Sequence, residues 1–192
     1  LDFPVFPASA AGPDLREMVL GSEGRLGILT EATVRASPLP EREDFHAVFF
    51  PNFEVGQLAV RKILQSGLLL SLLRLSTAIE TTTTLALTGH ENLIGALEGL
   101  LKMRGLGPEK CMLLLGFTGT DAFVRTMRSE ALALAAREGG VHVGRTFGQE
   151  WHKKRFHTPY LRNTLWEHGY AVDTLETATD WKNVPVVLQA IE

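Results

Sequence analysis

Hydrophobic and polar positions follow two rhythms along this chain, one of period two and one of helical period, and they begin to alternate near residue 44. Residues 45–50 read as a strand closed by Pro51-Asn52. Residues 53–65 place Phe53, Val60, Ile63 and Leu64 on one helical face, with Gly56 as the small residue on it. Residues 69–75 read as a second strand. Residues 78–85 are ambiguous, because Thr81 to Thr84 is a poor helix-forming run. Residues 91–104 are helical up to Gly105. Residues 111–117 are apolar apart from Gly116 and suit a central strand. The clearest helix is 121–138: Asp121 offers a cap, Val124, Met127, Ala131, Leu134 and Ala135 share a face, and Gly139-Gly140 stops it. A short strand at 141–143 follows, then a helix over 151–168 that Pro159 bends or restarts. Alternation predicts a strand at 171–177, and 184–191 begins a helix with Pro185 in its first turn. Strands separated by helices predict an α+β fold, an antiparallel sheet with helices on one face.

The first 43 residues are patterned differently. Residues 1–13 hold Pro4, Pro7 and Pro13 and read as extended chain. Asp14 caps a short helix of Leu15, Met18, Val19 and Leu20, ended by Gly21. Three glycines then fall within seven residues, 21–27, ahead of a strand predicted over 28–34. Pro38, Pro40 and the charges at 41–44 mark a hinge, and a domain boundary is placed between residues 43 and 44.

Composition narrows the function classes. Of 192 residues, 45% are hydrophobic and 21% charged, as in soluble globular domains. A net charge of -3 argues against a nucleic-acid partner. The single cysteine, Cys111, leaves no internal disulfide and no Cys-built zinc site; in an apolar strand it reads as a buried, inert thiol. The most apolar stretch, 68–75, is broken by Ser71 and Arg74 and predicts no transmembrane segment. With no basic leader at the start, a cytoplasmic location is expected. The chain opens on Leu1 and breaks off in a helix, so it is expected to be a piece of a longer protein. These features leave a homodimer open.

Several residues carry candidate chemistry. The glycines at 21, 24 and 27 match neither a P-loop nor G-x-G-x-x-G. They read either as a tight turn feeding a strand or as backbone left bare for a flat or phosphate-bearing ligand, with Ser22 adding a hydroxyl. Residues 151–181 are rich in anion-binding groups. Lys153, Lys154 and Arg155 suit a solvated face, whereas Arg162 sits on the face of a helix expected to be buried. It would either pair with Asp173 or Glu176 or hold a carboxylate or phosphate with both prongs. Arg74, inside an apolar strand, needs a partner of its own or a ligand. Among the six histidines only His152 and His157 are close, and spacing of five puts them on different helix faces, so no metal site is expected. There is no G-x-S-x-G elbow.

The segment Gly21-Ser22-Glu23-Gly24-Arg25-Leu26-Gly27-Ile28-Leu29-Thr30-Glu31 resembles the G-S-E-G-x-L-G-I-[IL]-T-E motif of FAD-linked oxidases of the vanillyl-alcohol oxidase type, whose FAD-binding domain is of the PCMH type. Pro51-Asn52-Phe53-Glu54 with Gly56, Arg74-Leu75, residues 113–116, Pro159-Tyr160-Leu161-Arg162-Asn163, Glu176-Thr177 and Trp181 resemble the alkyldihydroxyacetonephosphate synthase branch. The resemblance covers nearly the whole chain. It implies that residues 1–43 are the C-terminal segment of an FAD-binding domain and residues 44–192 an incomplete, ferredoxin-like cap or substrate domain. It implies cofactor contacts from Ser22, Glu23, Gly24, Arg25, Leu26, Gly27, Ile28 and Leu29. Arg25 stands where a small residue such as Thr or Ala is more usual. It further implies that Arg162, Arg74 and Thr177 face a small anionic or lipid-like substrate. The pyrophosphate-cradling loop and the catalytic acid/base would lie outside this chain, so no catalytic residue is assigned here and the chain alone would neither hold FAD nor turn over. The implied chemistry is oxidation of a 2-hydroxy acid or, in the synthase branch, exchange of an acyl chain for an alcohol. From a different class, a non-catalytic α+β module binding a ligand or partner stays open.

Overall fold

In a computed structural model the described residues are 12–87, 91–156 and 160–191. Readings that rest on Pro4, Pro7, His90, His157 and Pro159 lie outside them. The chain divides between Leu39 and Pro40 into two compact units.

In the first unit, helix α1 spans Leu15–Val19, with the Asp14 carboxylate accepting from the Arg16 N–H at 3.0 Å. Residues 28–34 form no strand. Alternation predicts a strand only where an edge is available to pair with, and among the described residues these have no ladder partner.

The second unit is built on one antiparallel sheet. Its strands are β1 (Arg42–Phe50), β2 (Leu72–Leu75), β3 (Cys111–Gly119) and β4 (Val141–His142), in the order β2-β3-β1-β4. β1 and β3 pair along their full lengths, from Arg42 opposite Gly119 to Phe50 opposite Cys111. β1 therefore starts three residues before the apolar run. Its charged residues are tolerated in the ladder because they are paired: Arg42 with Asp121 at 2.8 Å, and Asp44 with Arg128 at 2.8 Å.

Asp44 through Phe50 are buried without a break, as are Cys111 through Phe117. Continuous burial means that both faces of the sheet are covered. On one face Val48, Phe50, Leu113, Leu115 and Phe117 pack against Ala59 and Ile63 of α2 (Phe53–Gln65) and Val124, Ala131 and Ala135 of α5 (Asp121–Arg137). On the other face Ala47, Phe49, Met112 and Leu114 pack against Leu85 of α3 (Ala78–Ala86), Leu97 and Leu101 of α4 (Glu91–Met103) and Phe147 of α6 (Thr146–Lys154). The fold is α+β with an antiparallel sheet, and helices flank both faces where periodicity suggested one. In that second layer α4 follows its period, whereas α3 escapes a period-based reading because it contains the threonine run. There Thr77 caps, the hydroxyls of Thr82 and Thr83 donate to the carbonyls of Ala78 and Ile79, and the buried Thr81 hydroxyl accepts from the Met112 N–H at 3.0 Å. Tertiary bonding outweighs propensity.

The helix expected over 151–168 is two helices, α6 and α7 (Leu161–Glu167). α5 is capped by Thr120, not Asp121, whose carboxylate is engaged by Arg42 and Arg125. The strand expected over 171–177 does not form: these residues are without regular structure and mostly exposed, up to a 3-10 turn at Trp181–Asn183 and helix α8 (Val184–Ile191).

Candidate functional site

The glycine-rich segment is a chain of tight turns. Gly21, Glu23, Gly24 and Gly27 all have positive φ, 77°, 50°, 80° and 149°. Glu23 is the one non-glycine among them, and only glycine adopts such angles freely. The turns are closed by the Ser22 N–H on the Val19 carbonyl at 3.1 Å and the Arg25 N–H on the Ser22 carbonyl at 2.9 Å. Residues 23–29 are exposed, Ile28 at 90%. A Cβ at Gly24 or Gly27 would meet nothing within 4 Å. The segment is thus an open strip of backbone with Leu26, Ile28 and Leu29 turned to solvent.

The residues expected to face a substrate are separately placed. Arg74 in β2 is exposed and bonded to Glu80 of α3, so it has a partner within its own chain. Arg162 is on α7, which is largely exposed and not the buried helix expected. Its guanidinium lies over the Trp166 ring at 4.4 Å instead of pairing with Asp173 or Glu176. A cation held over an aromatic face keeps its hydrogen-bond donors for a further acceptor. Thr177 is exposed in the irregular stretch. Among the described residues no hydrogen bond or ion pair joins any two of these three. Cys111 is buried, its sulfur 3.6 Å from the Glu109 carbonyl. A cleft of about 480 Å³ between α2 and α8, lined by Phe53, Glu54, Gln57, Pro185, Leu188 and Gln189, contains none of the expected residues.

The densest polar cluster was not singled out by sequence. Asp44 is fully buried, with Arg128 on one carboxylate oxygen at 2.8 Å and Arg145 on the other at 2.5 Å. Burial alone would raise its carboxyl, but Arg128, His46 and Arg145 outweigh it and hold the group below the usual carboxylate range. His46, two residues along on the same face, sets its Nε2 3.2 Å from Asp44 and its Nδ1 2.9 Å from Nε2 of His142 on β4. Burial pushes both imidazoles below their ordinary value, against the pull of Asp44. The signal was present as Asp-x-His at period two in a strand. The arginines come from α5 and from the turn before α6, and no local spacing announces them.

Residues 39–192 match the family of FAD linked oxidases, C-terminal domain. This chain belongs to that family. The chain is 26% identical over 183 residues to the alkyldihydroxyacetonephosphate synthase of Dictyostelium discoideum, spanning 92% of this chain and 30% of that protein. It is 25% identical over 158 residues to a mitochondrial cytochrome D-lactate dehydrogenase of Arabidopsis thaliana, spanning 82% of this chain and 25% of that one. A solved structure of an alkyldihydroxyacetonephosphate synthase shares its fold, with a TM-score of 0.80 at 24% identity over 95% of this chain and 35% of the other. The chain therefore spans about a third or less of these relatives.

The family is linked to FAD, and residues 22–29 suit part of a site for it: bare backbone at Gly24 and Gly27, flanked by exposed apolar side chains, is the surface a flat, mixed polar and apolar group needs. Among the described residues no group of three His, Cys, Asp or Glu is placed to hold a metal ion, and no helix is long and apolar enough to cross a membrane.

Proposed function

We propose that this chain is part of an FAD-dependent oxidoreductase acting on an anionic, hydroxy-acid-like substrate. The observation that carries the reading is the family match over residues 39–192. On this reading residues 1–43 close the FAD-binding domain and residues 44–192 form part of the cap. Ser22, Glu23, Gly24, Arg25, Leu26, Gly27, Ile28 and Leu29 would hold the cofactor, largely through backbone. Bound FAD supplies two-electron oxidation. Arg162, stacked on Trp166 and still able to donate, would take the substrate's carboxylate in two-pronged geometry. Arg74 and Thr177 would line the same pocket, with Glu80 limiting the net positive charge that Arg74 offers.

A second reading is favoured by a specific observation: the synthase of Dictyostelium matches a larger share of the chain than the D-lactate dehydrogenase does. There the substrate would be an acyl-dihydroxyacetone phosphate and a long-chain alcohol, and Arg162 would hold a phosphate.

The test uses the full-length parent protein. Purified with FAD, it is assayed with 2-hydroxy acids and a redox dye, and separately with acyl-dihydroxyacetone phosphate and a fatty alcohol. Dye reduction supports oxidation, ether-lipid product supports the synthase reading, and neither product sinks both. Arg162→Ala is expected to lower kcat/KM for the anionic substrate by about 2–4 kcal/mol, roughly thirtyfold to a thousandfold. An unchanged kcat/KM removes Arg162 from the pocket. The 192-residue chain alone, titrated with FAD, is expected to give no saturable change in the visible spectrum.

A further inference from the structure

Strand β4 is two residues long, and its ladder to β1 is correspondingly short: His142 lies opposite Val48 and Val141 opposite Phe49. Two further backbone bonds continue the pairing, Val143 N–H to the Ala47 carbonyl at 3.1 Å and Ala47 N–H to the Gly144 carbonyl at 3.1 Å. Immediately beyond, Arg145 leads into α6. So short an element is held by what its side chains do: His142 bonds His46 of β1, and Arg145, just beyond, reaches the buried Asp44 carboxylate that His46 also approaches.

The bond between the rings has a proton count built into it. Between two imidazole nitrogens 2.9 Å apart one must donate and the other accept. The pair can be neutral, or hold one extra proton, and keep that bond. With a second proton all four nitrogens carry hydrogen, two N–H groups face each other, and the bond is lost. We propose that Asp44, His46 and His142 form a proton-operated clamp that fastens β4 and the root of α6 to β1, closed while the two imidazoles share a hydrogen bond and opened when both are charged.

The surroundings set where the clamp works. From β1, Asp44 faces Nε2 of His46 and favours its charge, and Arg42 lies 3.5 Å from the same carboxylate. From α5, Arg128 opposes a charge on either ring, and from the turn before α6, Arg145 occupies the Asp44 oxygen that His46 also approaches. From β3, Phe117 puts its ring 6.2 Å from His46, edge-on, and supplies no charge. On the opposite face of β1, His152 of α6 stacks on Phe45 at 4.2 Å and lies 3.6 Å from Glu43, so it does not meet the pair. With burial and Arg128 both opposing charge on the rings, the clamp is closed at neutral pH and opens in acid. Asp44, held in its charged form, remains the fixed post. This inference is independent of which substrate the parent enzyme takes.

The experiment is amide exchange in the 192-residue chain at about pH 7.5 and about pH 4.5, corrected for the intrinsic rate and referred to Leu114 in the central ladder. Protection at Val143 relative to Leu114 is expected to fall at least about tenfold in acid. In His142→Gln, whose amide either donates to or accepts from His46, the ratio is expected to stay within about twofold. An acid-insensitive ratio in the native chain, or an equal fall in the variant, overturns the clamp. Ring proton shifts provide a second arm: His142→Gln is expected to raise the titration midpoint of His46, because the neighbouring cation is gone. A midpoint that does not move overturns the coupling.

Discussion

Leu113, Leu114 and Leu115 in β3 and Leu26, Ile28 and Leu29 in the glycine-rich strip are equally apolar runs, yet the first three are at most 1% exposed and the last three are 61% to 90% exposed. The difference does not lie in hydrophobicity. β3 has a hydrogen-bonded partner on each side and a helical layer over each face, so each side chain leaves water. The strip is interrupted by positive-φ glycines that prevent it from extending a sheet. Apolar side chains turned to water add little to the core, however hydrophobic they are.

Substitutions in the two regions separate packed from exposed positions. The largest effect is expected from Leu114→Ala, a loss of about 2–5 kcal/mol in urea unfolding, against a change within about 0.5 kcal/mol for Ile28→Ala. Equal costs would mean that the strip is packed in solution. Next come the glycines. A Cβ at Gly148 would lie 2.6 Å from the backbone of Phe45 and His46, so Gly148→Ala is expected to cost about 1–3 kcal/mol. Gly27→Ala meets only backbone strain, about 1 kcal/mol, but in the parent enzyme it is expected to weaken FAD retention, read by cofactor lost on gel filtration.

A pH series tests the polar half of β1. The folded pKa values of His46 and His142 lie below the ordinary 6.5, so below that pH the unfolded chain gains protons first. Stability is full above about pH 6.5 and declines beneath it, at most about 1.4 kcal/mol per pH unit for buried His46 and less for exposed, screened His142. Asp44, held below 3.8, adds a second decline as the pH falls through its folded value. A flat profile from pH 7.5 to about 4.5 would contradict the assignment of neutral rings. The smallest effect is expected from Arg74→Ala: its pair with Glu80 is exposed, so stability should shift by no more than about 0.5–1 kcal/mol, leaving any larger loss of turnover in the parent attributable to substrate.

What the sequence disclosed and what it concealed follow from the range of the forces involved. α2, α4, α5, α8 and the cores of β1 and β3 were legible because they obey a local period. The extra three residues of β1 were not, since Arg42 and Asp44 become acceptable in a strand only once Asp121 and Arg128 arrive from far along the chain. The helix α3 was hidden by its threonines, whose hydroxyls are bonded within the fold. Strands predicted at 28–34 and 171–177 had alternation but no ladder partner among the described residues. The glycine-rich strip was legible as a motif, whereas the Asp44 cluster joins four stretches of chain and exists only in three dimensions.

Gly148 has one more consequence. β4 and the two backbone bonds after it cover β1 from Phe49 back to Ala47, and beyond them the backbone of Phe45 and His46 is met by α6 at Gly148, whose missing side chain allows the approach. An uncovered strand edge invites an intruding strand from another molecule and is where ordered aggregates start. By seating a helix where β4 gives out, the fold covers this margin of β1, and a side chain at residue 148 would reopen it.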